Sequence, residues 1–210
     1  MRTLAILPVK SFSRAKQRLR AGVDEPLRES LVEAMLGDVL DALAATDALD
    51  QVAVVTAGDA PAQIARERGA DVLNDYERGH NAAAKLGIEA ALRDGYDRAL
   101  LVPGDCPALD ADELGALLSR PIAPPSALIV PDRHRTGTNA LVLTPPDALA
   151  PSFGPGSCER HAALARAAGV HVEVVEVPSL ALDIDTPDDL AALASATRRA
   201  LRTDELLSRC

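Results

Sequence analysis

Tryptophan is absent, and aromatic residues make up only 2% of the 210 residues. Single-stranded nucleic acids are held on stacked aromatic rings, so this poverty argues against such a partner. A net charge of −9 argues against nucleic-acid binding in general. No apolar run approaches the about 20 residues that cross a bilayer, so no membrane partner is expected. The opening stretch, Met1 to Pro8, is too short before its proline to serve as a secretion signal. Cysteine is scarce. Cys106, Cys158 and Cys210 are odd in number and lack metal-ligand spacing, which fits a reducing cytoplasm. Also missing are Gly-x-Gly-x-x-Gly and Gly-x-x-x-x-Gly-Lys-Ser/Thr, so neither a Rossmann dinucleotide site nor a P-loop is supported.

What is present begins with a core. Hydrophobic residues reach 48%, which excludes wholesale disorder, and the length suits one sizeable α/β domain spanning 1–210. The charge is uneven. Arg2, Lys10, Arg14, Lys16, Arg18 and Arg20 fall within residues 1–23 with no acid among them, leaving 16 basic against 31 acidic residues in the remainder. A basic opening on an acidic chain suggests a localised anion site. It follows a strand, Thr3 to Leu7, and a polar loop there is a common seat for phosphates. A solvated basic loop would read the same way.

The pattern then alternates. Glu25 to Ala45 is a helix, with Leu31, Met35, Val39 and Leu43 at four-residue spacing. Val52 to Thr56 is a strand, Ile64 to Arg68 a short helix closed by Gly69, and Asp71 to Leu73 a third strand. Such β-α-β steps imply parallel pairing. Asn81 stands where it could cap the helix Ala82 to Arg93 or present its amide to a ligand, and His80 reads as a surface residue. Leu100 to Val102 is a buried strand. Asp110 with Glu113 three residues on has the form of a capping box. Ala127 to Val130 and Ala140 to Leu143 are joined by a polar hairpin tip containing Thr136-Gly-Thr-Asn139. A glycine-rich turn, Phe153-Gly-Pro-Gly-Ser157, opens the helix Cys158 to Ala168. A helix start of this kind suits an anion, with Ser157 as both N-cap and donor. His171 to Val177 alternates as a strand. Thr186 caps the last helix with Pro187 at its first position, and the chain from about 198 to 210 is expected to fray.

Two segments carry candidate chemistry. Asp105 follows Pro103-Gly104 at the end of the Leu100–Val102 strand, where open α/β sheets bind ligands. Asp183 and Asp185 alternate in Leu182-Asp-Ile-Asp-Thr186, so an extended backbone puts both on one face. Three converging carboxylates need a cation, and an all-oxygen set suits Mg²⁺ or Mn²⁺. Turn and loop acids would have the same spacing.

Taken together, these segments resemble the guanylyltransferases of coenzyme F420 biosynthesis. Leu7-Pro-Val-Lys10 with Ala15-Lys-Gln-Arg-Leu19, Gly79-His-Asn81, Pro103-Gly-Asp-Cys-Pro107, Thr136-Gly-Thr138, Phe153-Gly-Pro-Gly-Ser157 and Leu182-Asp-Ile-Asp-Thr-Pro187 follow the family's order along nearly the whole chain. The resemblance implies a glycosyltransferase-A-like nucleotidyltransferase domain, with a mixed, mostly parallel sheet and helices on both faces. It implies transfer of GMP from GTP to a phosphorylated three-carbon acid with release of diphosphate. Bacterial members resembling this chain use phosphoenolpyruvate, while relatives use 2-phospho-L-lactate or 3-phospho-D-glycerate. By family position, Asp105, Asp183 and Asp185 would hold one or two Mg²⁺, and the catalytic cations Lys10, Lys16 and Arg18 would hold the triphosphate. Thr138, Gly154 and Ser157 would hold the acceptor carboxylate. Pro8, Val9, Thr56 and Asn81 would line the guanosine site, with Pro103 and Gly104 also at the nucleotide. His80 departs from the family, where an apolar residue is usual. Two rivals remain on the sequence: a transferase of the same fold with a sugar-phosphate or molybdopterin-type acceptor, and a nucleotide-binding module without catalysis. The former usually opens with a glycine-rich loop that this chain lacks, and the latter is disfavoured by the presence of all three aspartates. Oligomeric state is not encoded legibly, and a homodimer stays open.

Overall fold

The computed structural model describes residues 1–12, 16, 19, 24–76, 78–195 and 200–209. Seven strands form one sheet in the order β3-β2-β1-β4-β6-β5-β7. They are β1 (Thr3–Pro8), β2 (Gln51–Thr56), β3 (Asp71–Asn74), β4 (Arg98–Leu101), β5 (Ser126–Pro131), β6 (Thr138–Thr144) and β7 (His171–Val174). β1 pairs in parallel with β2 and β4, β2 with β3, and β5 with β7. β6 runs antiparallel to both of its neighbours. The sheet is thus mixed and mostly parallel, as the resemblance implied, and its β1–β3 part is parallel, as the β-α-β alternation implied.

The strands are apolar on both sides because helices cover both sides. Ala5, Leu7, Leu100, Leu128 and Val142 join one core with α1 (Glu25–Ala44), α2 (Asp59–Glu67) and α4 (Ala111–Leu118). Leu4, Ile6, Leu101, Ile129 and Leu141 join the other with α3 (His80–Arg93) and α5 (Ser157–Ala167). This is the period-2 alternation of a strand. α3 approaches β1 closely at Gly87, where an added Cβ would stand 2.2 Å from Ile6 Cγ2. Two further helices, α6 (Pro187–Ala194) and α7 (Leu201–Leu207), follow β7.

Several local expectations are revised. Where fraying was expected, residues Leu201–Leu207 form a helix. α7 packs on α1, and the Asp38 carboxylate accepts from the Arg202 and Thr203 amides at 2.9 and 3.0 Å and from Thr203 Oγ1 at 2.8 Å. A buried acid on α1 therefore serves the first-turn amides of a distant helix. The helix after β3 begins at His80 with Gly79 as N-cap, so Asn81 lies inside it rather than capping it. Gly156, with φ 71°, caps α5, leaving Ser157 at the first helical position. Asp110 does cap α4, and Glu113 also reaches a distant segment, its Oε2 accepting from the Ser179 amide at 2.9 Å. Thr186 caps α6 as expected, in a reciprocal box with Asp189.

Candidate active site

The site is built at the carboxyl ends of β1 and β4. β1 delivers Pro8, Val9 and Lys10, with the Val9 amide tied to Val55 O at 2.9 Å. These residues and His80 are shared by two adjoining cavities of about 220 Å³ each. Ser11, Ala57, Asp75, Gly79 and Ala83 complete the first. Lys16, Pro103, Gly104, Asp105 and Asp185 close the second over Val32 and Leu36 of α1. The polar wall thus rests on the same helix that fills the core.

The segment 182–185 extends the site from the far end of the chain. Ile184 is fully buried, and its amide donates to Asp105 O at 3.0 Å. That single backbone bond sets Asp183 and Asp185, on either side of Ile184, beside Asp105. Asp189 holds the same segment from behind. Its Oδ2 accepts from the amides of Asp185 at 3.0 Å and Thr186 at 2.7 Å, and its Oδ1 pairs with Arg133 at 2.6 Å. Although burial opposes it, these bonds and Arg133 keep the Asp189 carboxyl below its usual pKa.

The three candidate metal ligands are not equivalent. Lys16 pairs with Asp105 Oδ2, and its Nζ stands 2.6 Å from Asp185 Oδ1. Burial opposes charge on the ammonium, but the two carboxylates outweigh it and raise the Lys16 pKa. Asp183 turns instead to Asn139, whose Nδ2 lies 3.2 Å from Oδ1. Burial, then the Asp105 charge, pushes the Asp183 carboxyl up. Asp105 Oδ1 is buried with no hydrogen-bond partner among the described residues. An orphaned carboxylate oxygen in an all-oxygen donor set fits a hard cation. Among the described residues, no three His, Cys, Asp or Glu side chains already close as a metal cage; Lys16 stands between two of the three. Cys106, directly after Asp105, is buried, and burial with the neighbouring aspartates lifts its thiol well above the ordinary pKa, leaving it inert.

The acceptor-site candidates form a second patch. Thr138 opens β6, and the register shifts by one residue between Val130 and Pro131. This bulge re-aims neighbouring side chains. Thr138 meets His161 of α5, while Asn139 meets Leu180 O at 2.7 Å and Asp183. Gly154 has φ 120°, a backbone that suits glycine, and its carbonyl accepts from the Ser157 amide at 3.0 Å. Ser157 is buried. This patch lines neither cavity, but two contacts join it to them. Asn81 clips Phe153, accepting from its amide at 2.7 Å and donating to its carbonyl at 3.3 Å. The Phe153 ring meets His80 edge-on at 4.9 Å.

Pro8, Val9, Lys10, Lys16, Pro103, Gly104, Asp105 and Asp185 therefore come together around one cleft. Thr56 is buried beneath it, its hydroxyl accepting from the Gly58 amide at 3.1 Å. Arg18 lies outside the described residues, as do Arg14, Arg20 and Cys210. His80 is exposed, as read from the sequence, but it stands in the mouth of the cleft. Partial desolvation, aided by Lys10 and opposed by Asp105, lowers its pKa. His161, Asn139 and Asp189 are functional candidates that the sequence did not single out. Each was masked by an ordinary setting: an alanine-rich helix, a strand start and a capping box.

Residues 3–199 match the family described as guanylyl transferase CofC like. The chain is 49% identical over 203 residues to a phosphoenolpyruvate guanylyltransferase of Conexibacter woesei, covering 95% of this chain and 91% of that one. It is 38% identical over 208 residues to a 3-phospho-D-glycerate guanylyltransferase of Phenylobacterium zucineum, covering 97% and 94%. In fold it is similar to a nucleotidyl transferase from Methanothermobacter, with a TM-score of 0.64 at 18% identity, covering 100% of this chain and 99% of that one. With the family matched along almost its entire length, the chain belongs to the CofC-like guanylyl transferases.

Proposed function

We propose that this protein transfers GMP from GTP to phosphoenolpyruvate, releasing diphosphate and forming enolpyruvoyl-2-diphospho-5'-guanosine for coenzyme F420 biosynthesis. The observation that carries this reading is the Ile184–Asp105 backbone bond, which sets Asp183 and Asp185, from late in the chain, beside the mid-chain Asp105 at a lysine-lined cleft. The 49% and 41% identical relatives named for phosphoenolpyruvate support that acceptor, and the relative named for 3-phospho-D-glycerate makes that acid the second reading. 2-Phospho-L-lactate, which shares the phosphate and carboxylate, is the third.

The chemistry follows from charge. Both reactants are polyanions, and their approach needs fixed cations. Lys10 and Lys16, with Arg18, would bind the triphosphate and stabilise the departing diphosphate. Pro8, Val9, Pro103 and Gly104 would bound the nucleoside and its phosphates, with Thr56 and Asn81 supporting them. Asp105, Asp183 and Asp185 would hold Mg²⁺, one or two ions; bound there, it would neutralise the reacting phosphates and favour in-line displacement. An acceptor phosphate oxygen forms the new bond to the α-phosphorus as the bond to the β-phosphate oxygen breaks. That oxygen is already ionised, so the step needs no general base. Thr138, Gly154 and Ser157 would fix the acceptor carboxylate. The reducing cytoplasm is the fitting compartment, since Cys106 and Cys158 are both free.

The deciding experiment measures diphosphate release with GTP and Mg²⁺, offering each of the three acids and reading product masses. A guanylylated product with phosphoenolpyruvate is expected. Preference for another acid would keep the mechanism and change the acceptor. GTP binding with no diphosphate from any acid would leave a nucleotide-binding module.

A further inference from the structure

We infer that His161 is a positioning residue for the acceptor: as a neutral imidazole carrying its proton on Nδ1, it makes the Thr138 hydroxyl a hydrogen-bond donor to an anionic oxygen. The inference rests on the acceptor-site reading given above. His161 is completely buried, and both ring nitrogens are engaged. Nε2 lies 2.9 Å from the Ser152 amide. A backbone N–H can only donate, so Nε2 must accept and carries no proton. In a neutral ring the proton is then on Nδ1. Nδ1 lies 3.0 Å from Thr138 Oγ1, so it donates and the hydroxyl accepts. The hydroxyl's own proton cannot go back to His161 and is left to donate elsewhere.

A threonine hydroxyl can ordinarily rotate between donor and acceptor roles. Here the direction of the bond is set by one backbone amide two bonds away. The consequence is selectivity for a carboxylate or phosphate oxygen over a donor group. Two features hold the relay in place. The Phe153 ring packs edge-on against His161 at 5.2 Å. Arg160 fastens the turn that supplies the Ser152 amide, donating from its Nε to Ser152 Oγ at 2.8 Å and from its Nη2 to Ser152 O at 2.7 Å. Burial, then the Arg160 charge, disfavours a second proton on the ring.

Nitrogen-15 NMR of the unaltered protein tests the proton's place at neutral pH. A bare Nε2 and protonated Nδ1 are expected, and the other tautomer or a charged ring would overturn the inference. Kinetics test its use. Thr138→Val should raise the acceptor KM about tenfold or more while the GTP KM moves less than about twofold, as for loss of a hydrogen bond to a charged group. His161→Leu should do the same, and adding it to Thr138→Val should have little further effect. His161→Gln, whose amide can donate and accept in the same sense, should recover most of the loss. If Thr138→Val leaves the acceptor KM unchanged, the acceptor-site reading fails and the inference with it. If Thr138→Val raises it and a folded His161→Leu does not, only the positioning role fails. Should His161→Leu not fold, the tautomer measurement still decides.

Discussion

Lys16 shows how a residue can answer two needs. With its ammonium between Asp105 and Asp185, it offsets the repulsion between the two carboxylates. Asp105→Asn removes one charge from this arrangement and should abolish turnover while leaving the thermal melt near that of the unaltered protein; near-normal diphosphate release from the variant would remove Asp105 from the metal role. Ser157→Ala should raise the acceptor KM by the equivalent of about 1–3 kcal/mol, and an effect confined to GTP would contradict its assignment. His161 makes a prediction in stability. Its pKa falls from 6.5 to about 4 through burial, helped by Arg160. As pH drops through 6.5 the unfolded chain takes up a proton that the native ring refuses until about 4. Stability should therefore decline over that window, by about 3 kcal/mol from this one group. Urea melts compared between the unaltered protein and His161→Gln should show the slope shrinking in the variant; equal slopes would assign the acid sensitivity elsewhere.

At the scale of elements, α1 is buried on more than the stripe that faces the sheet. Asp38 and Gly37 are both covered, because α7 lies against them, and Arg202 Cδ would stand 2.8 Å from a Cβ at Gly37. Asp38→Ala strips the α7 amides of their buried acceptor and should cost about 2–4 kcal/mol. Chemical denaturation would measure it; a loss under 1 kcal/mol would mean that water replaces the carboxylate. Gly87→Ala should cost about 1–3 kcal/mol by overpacking against Ile6, with activity per folded molecule reporting whether α3 shifts the cleft. Helix α1 was readable because its apolar spacing, Leu31 to Leu43, repeats over about three turns. α7 was not, because seven residues carry too little periodicity, and its anchor lies more than 160 residues away in sequence.

For the whole molecule, the arrangement of charge outweighs its sum. An acidic chain places Lys10 and Lys16 at one cleft, facing Asp105 and Asp185, so charges of both signs meet where a polyanion would bind. Raising salt from about 0.1 M to about 1 M shortens the screening length from about 10 Å to about 3 Å, and the GTP KM should rise across that range; a flat response would mean that close contacts, not the field, hold the triphosphate. The alternation of strands and helices, the parallel pairing of β1 to β3 and the strand-end location of Asp105 were all legible in the chain, because they depend on local periodicity and on stop signals such as Pro8 and Pro103. Asp183 and Asp185 were legible as alternating acids, but it is folding that turns Asp185 to Lys16 and Asp183 to Asn139. Tertiary structure alone decided how those pieces meet. The bulge beside Thr138 depends on the register of β5 against β6, the caps at Gly79 and Gly156 on positive φ angles adopted in the fold, and the tautomer of His161 on an amide brought to it by folding. Periodicity is a property of neighbours in sequence; register, burial and the direction of a hydrogen bond are properties of neighbours in space.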